Sequence, residues 1–500
     1  MNHHLVSRLL QFVVASCSIL IVPQSAAWAA GLRPHIVLVM ADDQGWGQTG
    51  YYGHPFLQTP NLDEMARRGL RFDRFYAGGP VCSPTRATVL TGRTHERTGV
   101  PSHGHALRLQ ERTLPAALAA AGYSTAHFGK WHLDGVRGPG VPILPNDPYR
   151  PDIFGFTTWL SVTNFFDRDP LMGRSGRPAG DFEQLKGDSS EVIVAAAIRH
   201  LEQQLNRSPD QPTFTVIWFG SPHAPWQASE KDQTAFAALP IAARHHYGEL
   251  VAMDRSIGRL RTALRELGIA EDTLLWFTSD NGGLPNAELQ PTVGQNNPEL
   301  PGMTSLRGFK GSLYEGGLRV PAIIEWPGRV QPRVTSYPAG AADIFPTIAD
   351  LAGLPSTVLL PRVDGISLVS LFDNERGPRR QPLGFRCFGW GAWIDNEYKL
   401  VIPGPPRRQG RSNQMRATPQ PELYNLVTDP AESSNCAAEK PERLKRLLAG
   451  YEAFSRTVDA SIRGEDYPEG HLTCPDPVPI RWNDADSPYR QFNLPSPDKN

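Results

Sequence analysis

The chain has 500 residues, 40% of them hydrophobic and 20% charged, with a formal net charge of -1. That length can bury one large core and a smaller one, and the near-neutral balance argues against a nucleic acid or an anionic membrane as partner. A polyanionic ligand would have to be met by local cations rather than by the surface as a whole.

Met1 to about Ala29 reads as a secretory signal peptide: Arg8, an apolar run from Leu9 to Val22, then Ala27-Trp28-Ala29 as a small-residue cleavage site. The run is too short and interrupted for a stable membrane span, so a secreted or periplasmic location is expected. Val14-Ala15-Ser16-Cys17 loosely matches a lipobox, but the apolar run continues past Cys17, which argues against a lipid anchor there. Export leaves Cys82, Cys387, Cys436 and Cys474, with no Cys-x-x-Cys spacing suited to zinc. If Cys82 serves another purpose, the other three permit one disulfide and one free thiol in an oxidising compartment. Asn206-Arg207-Ser208 is a poor glycosylation triplet because Pro209 follows it.

His35 to Met40 is an unbroken, branched apolar run, as a strand covered on both faces would be, and it ends in Ala41-Asp42-Asp43. Thr59 and Pro60 start a helix over Asn61 to Arg68 that Gly69 closes. Leu70 to Tyr76 then leads to Val81-Cys82-Ser83-Pro84-Thr85-Arg86, which opens a helix running to Gly92. Leu114 to Ala121 is a further helix, and Tyr123 to Gly129 leads to Lys130-Trp131-His132, where an extended chain would point Lys130 and His132 the same way. Gly135 to Pro151 is expected to be a long surface loop.

Helical patterns over Ser189 to Leu205 and about Ile241 to Leu267 each precede a strand. The first strand, Thr213 to Phe219, ends in Gly220-Ser221-Pro222-His223; the second, Thr273 to Thr278, ends in Ser279-Asp280-Asn281-Gly282. Lys310 lies in Leu306 to Gly311, ahead of a strand at Ala322 to Trp326 and a short helix at Asp343 to Ala352. Near Leu371 to Pro382 the chain turns charged and Pro-rich, which marks a boundary. Short strands at Phe385 to Ile394 and Tyr398 to Ile402, a basic loop and a helix from Pro441 to Val458 follow. The tail from Gly464 is expected to wrap the surface without its own core. The predicted fold is α/β: a large, mainly parallel but mixed central sheet flanked by helices, plus a smaller C-terminal α+β domain with a short antiparallel sheet. Expected boundaries are 1–29 for the signal, 30–375 for the large domain, 376–463 for the subdomain and 464–500 for an extended tail.

Strands that end in Asp42 and Asp43, Lys130 and His132, His223, and Asp280 and Asn281 would bring these groups to one edge of a parallel sheet. An isolated Asp-Asp is usually a turn, and a lone Lys or His at a strand end usually lies on the surface. The convergence outweighs each bland reading. Asp42, Asp43, Asp280 and Asn281 offer oxygen ligands suited to Ca²⁺ or Mg²⁺, and Arg86, Lys130, His132, His223 and Lys310 would surround a tetrahedral oxyanion. Cys82, at a helix N-terminus four residues before Arg86, fits a thiolate nucleophile, a structural thiol or a precursor of another group.

Cys82-x-Pro84-x-Arg86, continued as Ala87-Thr88-Val89-Leu90-Thr91-Gly92-Arg93, resembles the signature of the formylglycine-dependent type I sulfatases, an arylsulfatase-like branch of the alkaline-phosphatase-like superfamily. The likeness runs from about Pro34 to Phe372 and, more weakly, to Glu422-Leu423-Tyr424-Asn425-Leu426 with Asp429-Pro430. It implies that a formylglycine-generating enzyme oxidises Cys82 to 3-oxoalanine, whose hydrate attacks sulfur. It further implies Ca²⁺ held by Asp42, Asp43, Asp280, Asn281 and residue 82, and Arg86 and Lys130 on the hydrate. His132 would take a proton in the elimination step, and His223 and Lys310 would contact the sulfate and assist the departing alcohol.

A substrate-facing position of the family falls here in Leu160 to Phe166, where Ser161, Thr163 or Asn164 fits and Asn164 is preferred. The expected substrate is a carbohydrate sulfate, of glycosaminoglycan or algal type, ahead of small aryl sulfates. Competing readings are a phosphate- or phosphonate-ester hydrolase of the same superfamily and a non-catalytic sulfated-glycan binder with Cys82 unmodified. Arg407, Arg408, Arg411 and Arg416 form a basic loop that fits flanking sulfates or plain solvation, and Trp390 and Trp393 fit core packing better than sugar stacking.

Overall fold

A computed structural model describes residues 33–178, 180–284, 306–404 and 420–492. The signal segment with Cys17, and the basic loop with Arg407, Arg408, Arg411 and Arg416, lie outside the described residues. In chain order the strands are β1 (His35–Ala41), β2 (Leu70–Tyr76), β3 (Ser124–Lys130), β4 (Val136–Arg137), β5 (Thr158–Val162), β6 (Leu171–Arg174), β7 (Glu183–Gln184), β8 (Thr213–Trp218) and β9 (Thr273–Ser279). They continue with β10 (Arg319–Glu325), β11 (Arg333–Thr335), β12 (Ala339–Gly340), β13 (Leu383–Cys387), β14 (Trp390–Asp395), β15 (Tyr398–Ile402), β16 (Glu422–Asn425) and β17 (Ile480–Arg481).

The large sheet has the order β11-β2-β10-β9-β1-β8-β3-β5-β6-β7, with β12 also on β2. Its centre, β9-β1-β8-β3-β5, is parallel throughout. β10 pairs antiparallel with β9 and β2, and β6 pairs antiparallel with β5, so the sheet is mixed. Every residue of β1, β3, β8 and β9 is buried, which requires cover on both faces. One face is covered by the helices Pro60–Arg68, Ser189–Arg207 and Ile241–Glu266, whose apolar stripes join Val37, Val39, Phe128, Ile217 and Phe277 in one core. The helices Cys82–Thr91, Leu114–Ala120 and Ile344–Leu351 pack together on the other side.

The second sheet, β13-β14-β15-β16, is antiparallel. Leu383, Phe385, Ile394, Val401 and Tyr424 pack against Tyr76, Tyr314 and Leu318 of the larger part, and its other face takes the helix Pro441–Ile462. A single strand over Phe385 to Ile394 is corrected to two: Phe388 (φ 54°) and Gly389 (φ 79°) form the tight turn of a β13–β14 hairpin. Trp393 lies against Phe454 and Trp390 against Tyr314, so both tryptophans pack within the protein. Lys399 is wholly buried between Glu315 and Glu432, 2.9 Å from each, and ties the two sheets electrostatically.

Two further expectations change. Gly135 to Pro151 is not merely a surface loop, and the tail is not coreless: β17 pairs with β4, and Trp482 and Tyr489 are buried with Val136, Val141 and Leu144. Each segment lacks periodicity because each supplies only half of a small core. All four described cysteines are free, so the disulfide that the count permits is absent among them.

Candidate active site

The carboxyl ends of four neighbouring strands, β9, β1, β8 and β3, meet the first turn of the helix Cys82–Thr91 at one buried corner. Val81 is extended (φ -146°, ψ 163°), the helix begins at Cys82, and all ten of its residues are buried. Beyond β1 the chain turns sharply at Asp43, whose φ of 70° lies in the left-handed region where Asp is tolerated. The Asp43 amide donates to Asp280 Oδ1 at 3.1 Å, so the ends of β1 and β9 are held together by a side chain. Gly282 lets the chain after β9 pass close to the backbone of the helix Glu315–Leu318: an added Cβ there would lie 1.8 Å from the Gly316 carbonyl oxygen.

Cys82 Sγ donates to Asp42 Oδ1 at 3.4 Å and reaches Asp43 Oδ1 at 4.0 Å. Lys130 Nζ donates to Asp42 Oδ2 at 2.6 Å, and Lys310 Nζ to Asp43 Oδ2 at 2.8 Å. Arg86 donates to Asp280 Oδ2 at 2.6 Å and to the Lys130 carbonyl at 3.1 Å, with its guanidinium 5.1 Å from the Trp218 ring. Burial opposes ionisation of Asp42 and Asp43, yet Lys130 for the first and Lys310 for the second hold them below the ordinary carboxylate range. Burial pushes the Cys82 thiol well up, outweighing Lys130 and Lys310, so the residue is not a thiolate nucleophile as it stands.

His223 lies 3.7 Å from Asp43 Oδ2 through Nε2, while its Nδ1 donates to the Ala224 carbonyl at 2.5 Å. The Phe165 ring stacks on it at 4.6 Å, only 7° from parallel. His132 is also left-handed (φ 58°), and both its ring nitrogens are buried without a partner. Burial, followed by Lys130 and Arg86, lowers its pKa strongly, so the imidazole is neutral and able to accept a proton.

Asp42, Asp43, Cys82 and His223 each offer a ligand atom, all within 4.8 Å of one another. Asn281 Oδ1 is a buried acceptor with no partner, while its Nδ2 donates to Asp43 Oδ1 at 2.8 Å. These anionic and unsatisfied oxygens fit a hard divalent cation. Asp280 stands beside them with one oxygen committed to Arg86.

The structure therefore brings together Asp42, Asp43, Cys82, Arg86, Lys130, His132, His223, Asp280, Asn281 and Lys310. It does not place Ser161 or Thr163 in this corner: Ser161 Oγ bonds His127 Nδ1 at 2.7 Å, and Thr163 Oγ1 accepts from the Val141 amide at 3.1 Å. Asn164 Nδ2 donates to the Gly138 carbonyl at 2.6 Å. Thr163 reaches the site only through its carbonyl, which accepts from the His132 amide at 2.9 Å, whereas the Phe165 side chain stacks on His223; Phe165-Phe166 carries no sequence signal that separates it from core.

The family model described as Sulfatase matches residues 34–354. Human arylsulfatase A is 32% identical over 505 residues, covering 90% of this chain and 95% of that protein. N-acetylgalactosamine-6-sulfatase of Sus scrofa is 35% identical over 370 residues, covering 67% of this chain and 65% of that one. Among solved structures, Ps i-CgsB in complex with k-i-k-neocarrahexaose superposes with a TM-score of 0.70 at 24% identity, covering 85% of this chain and 93% of that one, a likeness of fold.

Proposed function

Because the chain belongs to the sulfatase family and is a sulfuric ester hydrolase, we propose that it acts on carbohydrate sulfates through residue 82 after oxidation to formylglycine. The observation that carries this reading is the setting of Cys82: a protonated, fully buried thiol against Asp42, at the head of a helix, among lysines and histidines poised for an oxyanion. A formylglycine hydrate would supply two hydroxyls on one carbon, one to attack sulfur and one to drive release of the bound sulfate.

Asp42, Asp43, Asp280 and Asn281, with residue 82, would hold Ca²⁺, which supplies charge stabilisation at a sulfate oxygen when bound. The charges support a monoanionic ester. Three carboxylates (Asp42, Asp43, Asp280) stand against three cations (Arg86, Lys130, Lys310), so a divalent ion leaves two positive charges for one sulfate ester and one ionised nucleophile. A phosphate monoester brings nearly two negative charges by itself and suits this balance less well.

Lys130 and Lys310 then orient the sulfate oxygens, each fixed by a carboxylate. His223 Nε2 points into the corner and hands a proton to the departing alcohol, its ring held flat by Phe165. Neutral His132, with no other hydrogen bond to satisfy, takes the proton from residue 82 as sulfate is released. The carbohydrate preference draws on the names of relatives such as N-acetylgalactosamine-6-sulfatase. Export by the N-terminal signal and maturation by a formylglycine-generating enzyme complete the proposal.

The test is sulfate and phosphate release from aryl esters and sulfated saccharides, using protein co-expressed with a formylglycine-generating enzyme and a Cys82→Ala control. Cys82-dependent sulfate release from a saccharide is expected. Phosphate release alone, or sulfate release by the alanine variant, would overturn the reading.

A further inference from the structure

Arg137, on β4, makes no ion pair among the described residues: its NH2 donates to His105 Nε2 at 3.1 Å, and its Nε is buried without a partner. Arg137 is half-buried, so its charge stays hydrated while its unpaired N–H groups remain free to meet an anion. The carboxylate that acts on His105, Asp476, is occupied by Arg108 through two bonds of 2.6 and 2.7 Å.

A chain of contacts puts Arg137 beside the reactive corner. The Gly104 amide donates to Ser83 Oγ at 2.8 Å, next to Cys82, and a Cβ on Gly104 (φ 67°) would lie 2.5 Å from Arg137 Cγ. Arg137 thus rests on the residue bonded to the head of the reactive helix. His103 is exposed and lies within electrostatic reach of Arg137, Lys310, Lys130 and His105.

The backbone under Arg137 is fixed from two sides. β17 pairs with β4, and the Trp482 amide donates to the Arg137 carbonyl at 3.0 Å. The Trp482 ring fills the place of a Gly138 side chain, since a Cβ there would be 2.0 Å from Trp482 Cδ1. Asn164 Nδ2 bonds the Gly138 carbonyl from the other side at 2.6 Å.

We propose that Arg137, flanked by His103 and His105, is a second anion subsite beside the reactive corner, which takes a further sulfate or carboxylate of a saccharide substrate. This rests on the sulfatase reading above. The C-terminal segment around Trp482 becomes a positioning element, and Asn164 acts on substrate choice through Gly138 rather than by contact.

The test uses inhibition of 4-methylumbelliferyl sulfate hydrolysis by disaccharide pairs of chondroitin, heparin and carrageenan type, one member singly and the other doubly anionic. The wild type is expected to bind the doubly anionic member of at least one pair about tenfold more tightly, and Arg137→Gln to bring that ratio near one. The ratio should also fall with added salt in the wild type, a measurement that stands if the variant fails to fold. A ratio near one in every pair, a ratio that survives Arg137→Gln, or one indifferent to salt overturns the proposal. Loss of Cys82-dependent aryl sulfate turnover would instead overturn the sulfatase reading.

Discussion

Arg86 and Asp280 meet at 2.6 Å with neither side chain exposed to solvent. The pair joins the reactive helix to the end of β9, and Asp280 in turn receives the Asp43 amide. Removing one partner strands the other charge in a site closed to water.

Asp280→Ala is therefore expected to lose bound metal and turnover and to lower stability by about 3–5 kcal/mol. Elemental analysis and thermal melts check both. In the wild type a chelator should abolish turnover and Ca²⁺ restore it; full activity of metal-free protein would contradict the ligand set.

Lys399 lies between Glu315 and Glu432 where the small sheet meets the large one. Lys399→Met leaves Glu432 without its cation and Glu315 with only Arg319, 3.8 Å away, and should cost about 3–5 kcal/mol, read from denaturant unfolding. A stability within experimental error of wild type would show that the network does not hold the sheets together.

Phe165 fixes the His223 ring by stacking. The contact is worth about 0.5–1.5 kcal/mol, so Phe165→Ala should lower kcat by up to about tenfold with KM little changed, and Phe165→Tyr should recover most of it. Equal losses in both variants would argue against a stacking role.

Asp167 is pushed up to about 7, from 3.8, by burial and then by Asp188, itself raised to about 6 mainly by burial. The native state therefore binds more protons than the unfolded state between these limits, so this group costs stability as pH rises from about 4 through 7. Tm should fall over that range, and Asp167→Asn should flatten the fall. An unchanged slope in the variant would place the effect elsewhere.

Much of this was legible in the sequence because parallel strands buried on both faces are unbroken apolar runs. Their polar ends, Asp42-Asp43, Lys130, His223 and Asp280-Asn281, stand out against them. The short strands toward one end of the sheet were not: β5 has only five residues, β6 and β7 carry no such run, and Phe388-Gly389 interrupts an aromatic stretch only by its backbone conformation. Arg137 and Phe165 were invisible for another reason. Their contacts are made across the fold, with Gly104 and His223, and no local pattern encodes them.

Residue 82 is proposed to work as an aldehyde rather than a thiol. The direct measurement is mass spectrometry of the peptide containing residue 82, with hydrazide trapping, across preparations of graded maturation assayed in parallel for aryl sulfate turnover. Turnover is expected to rise in proportion to the aldehyde fraction and to vanish with it. Undiminished turnover from protein whose residue 82 is entirely unmodified cysteine would contradict an aldehyde nucleophile.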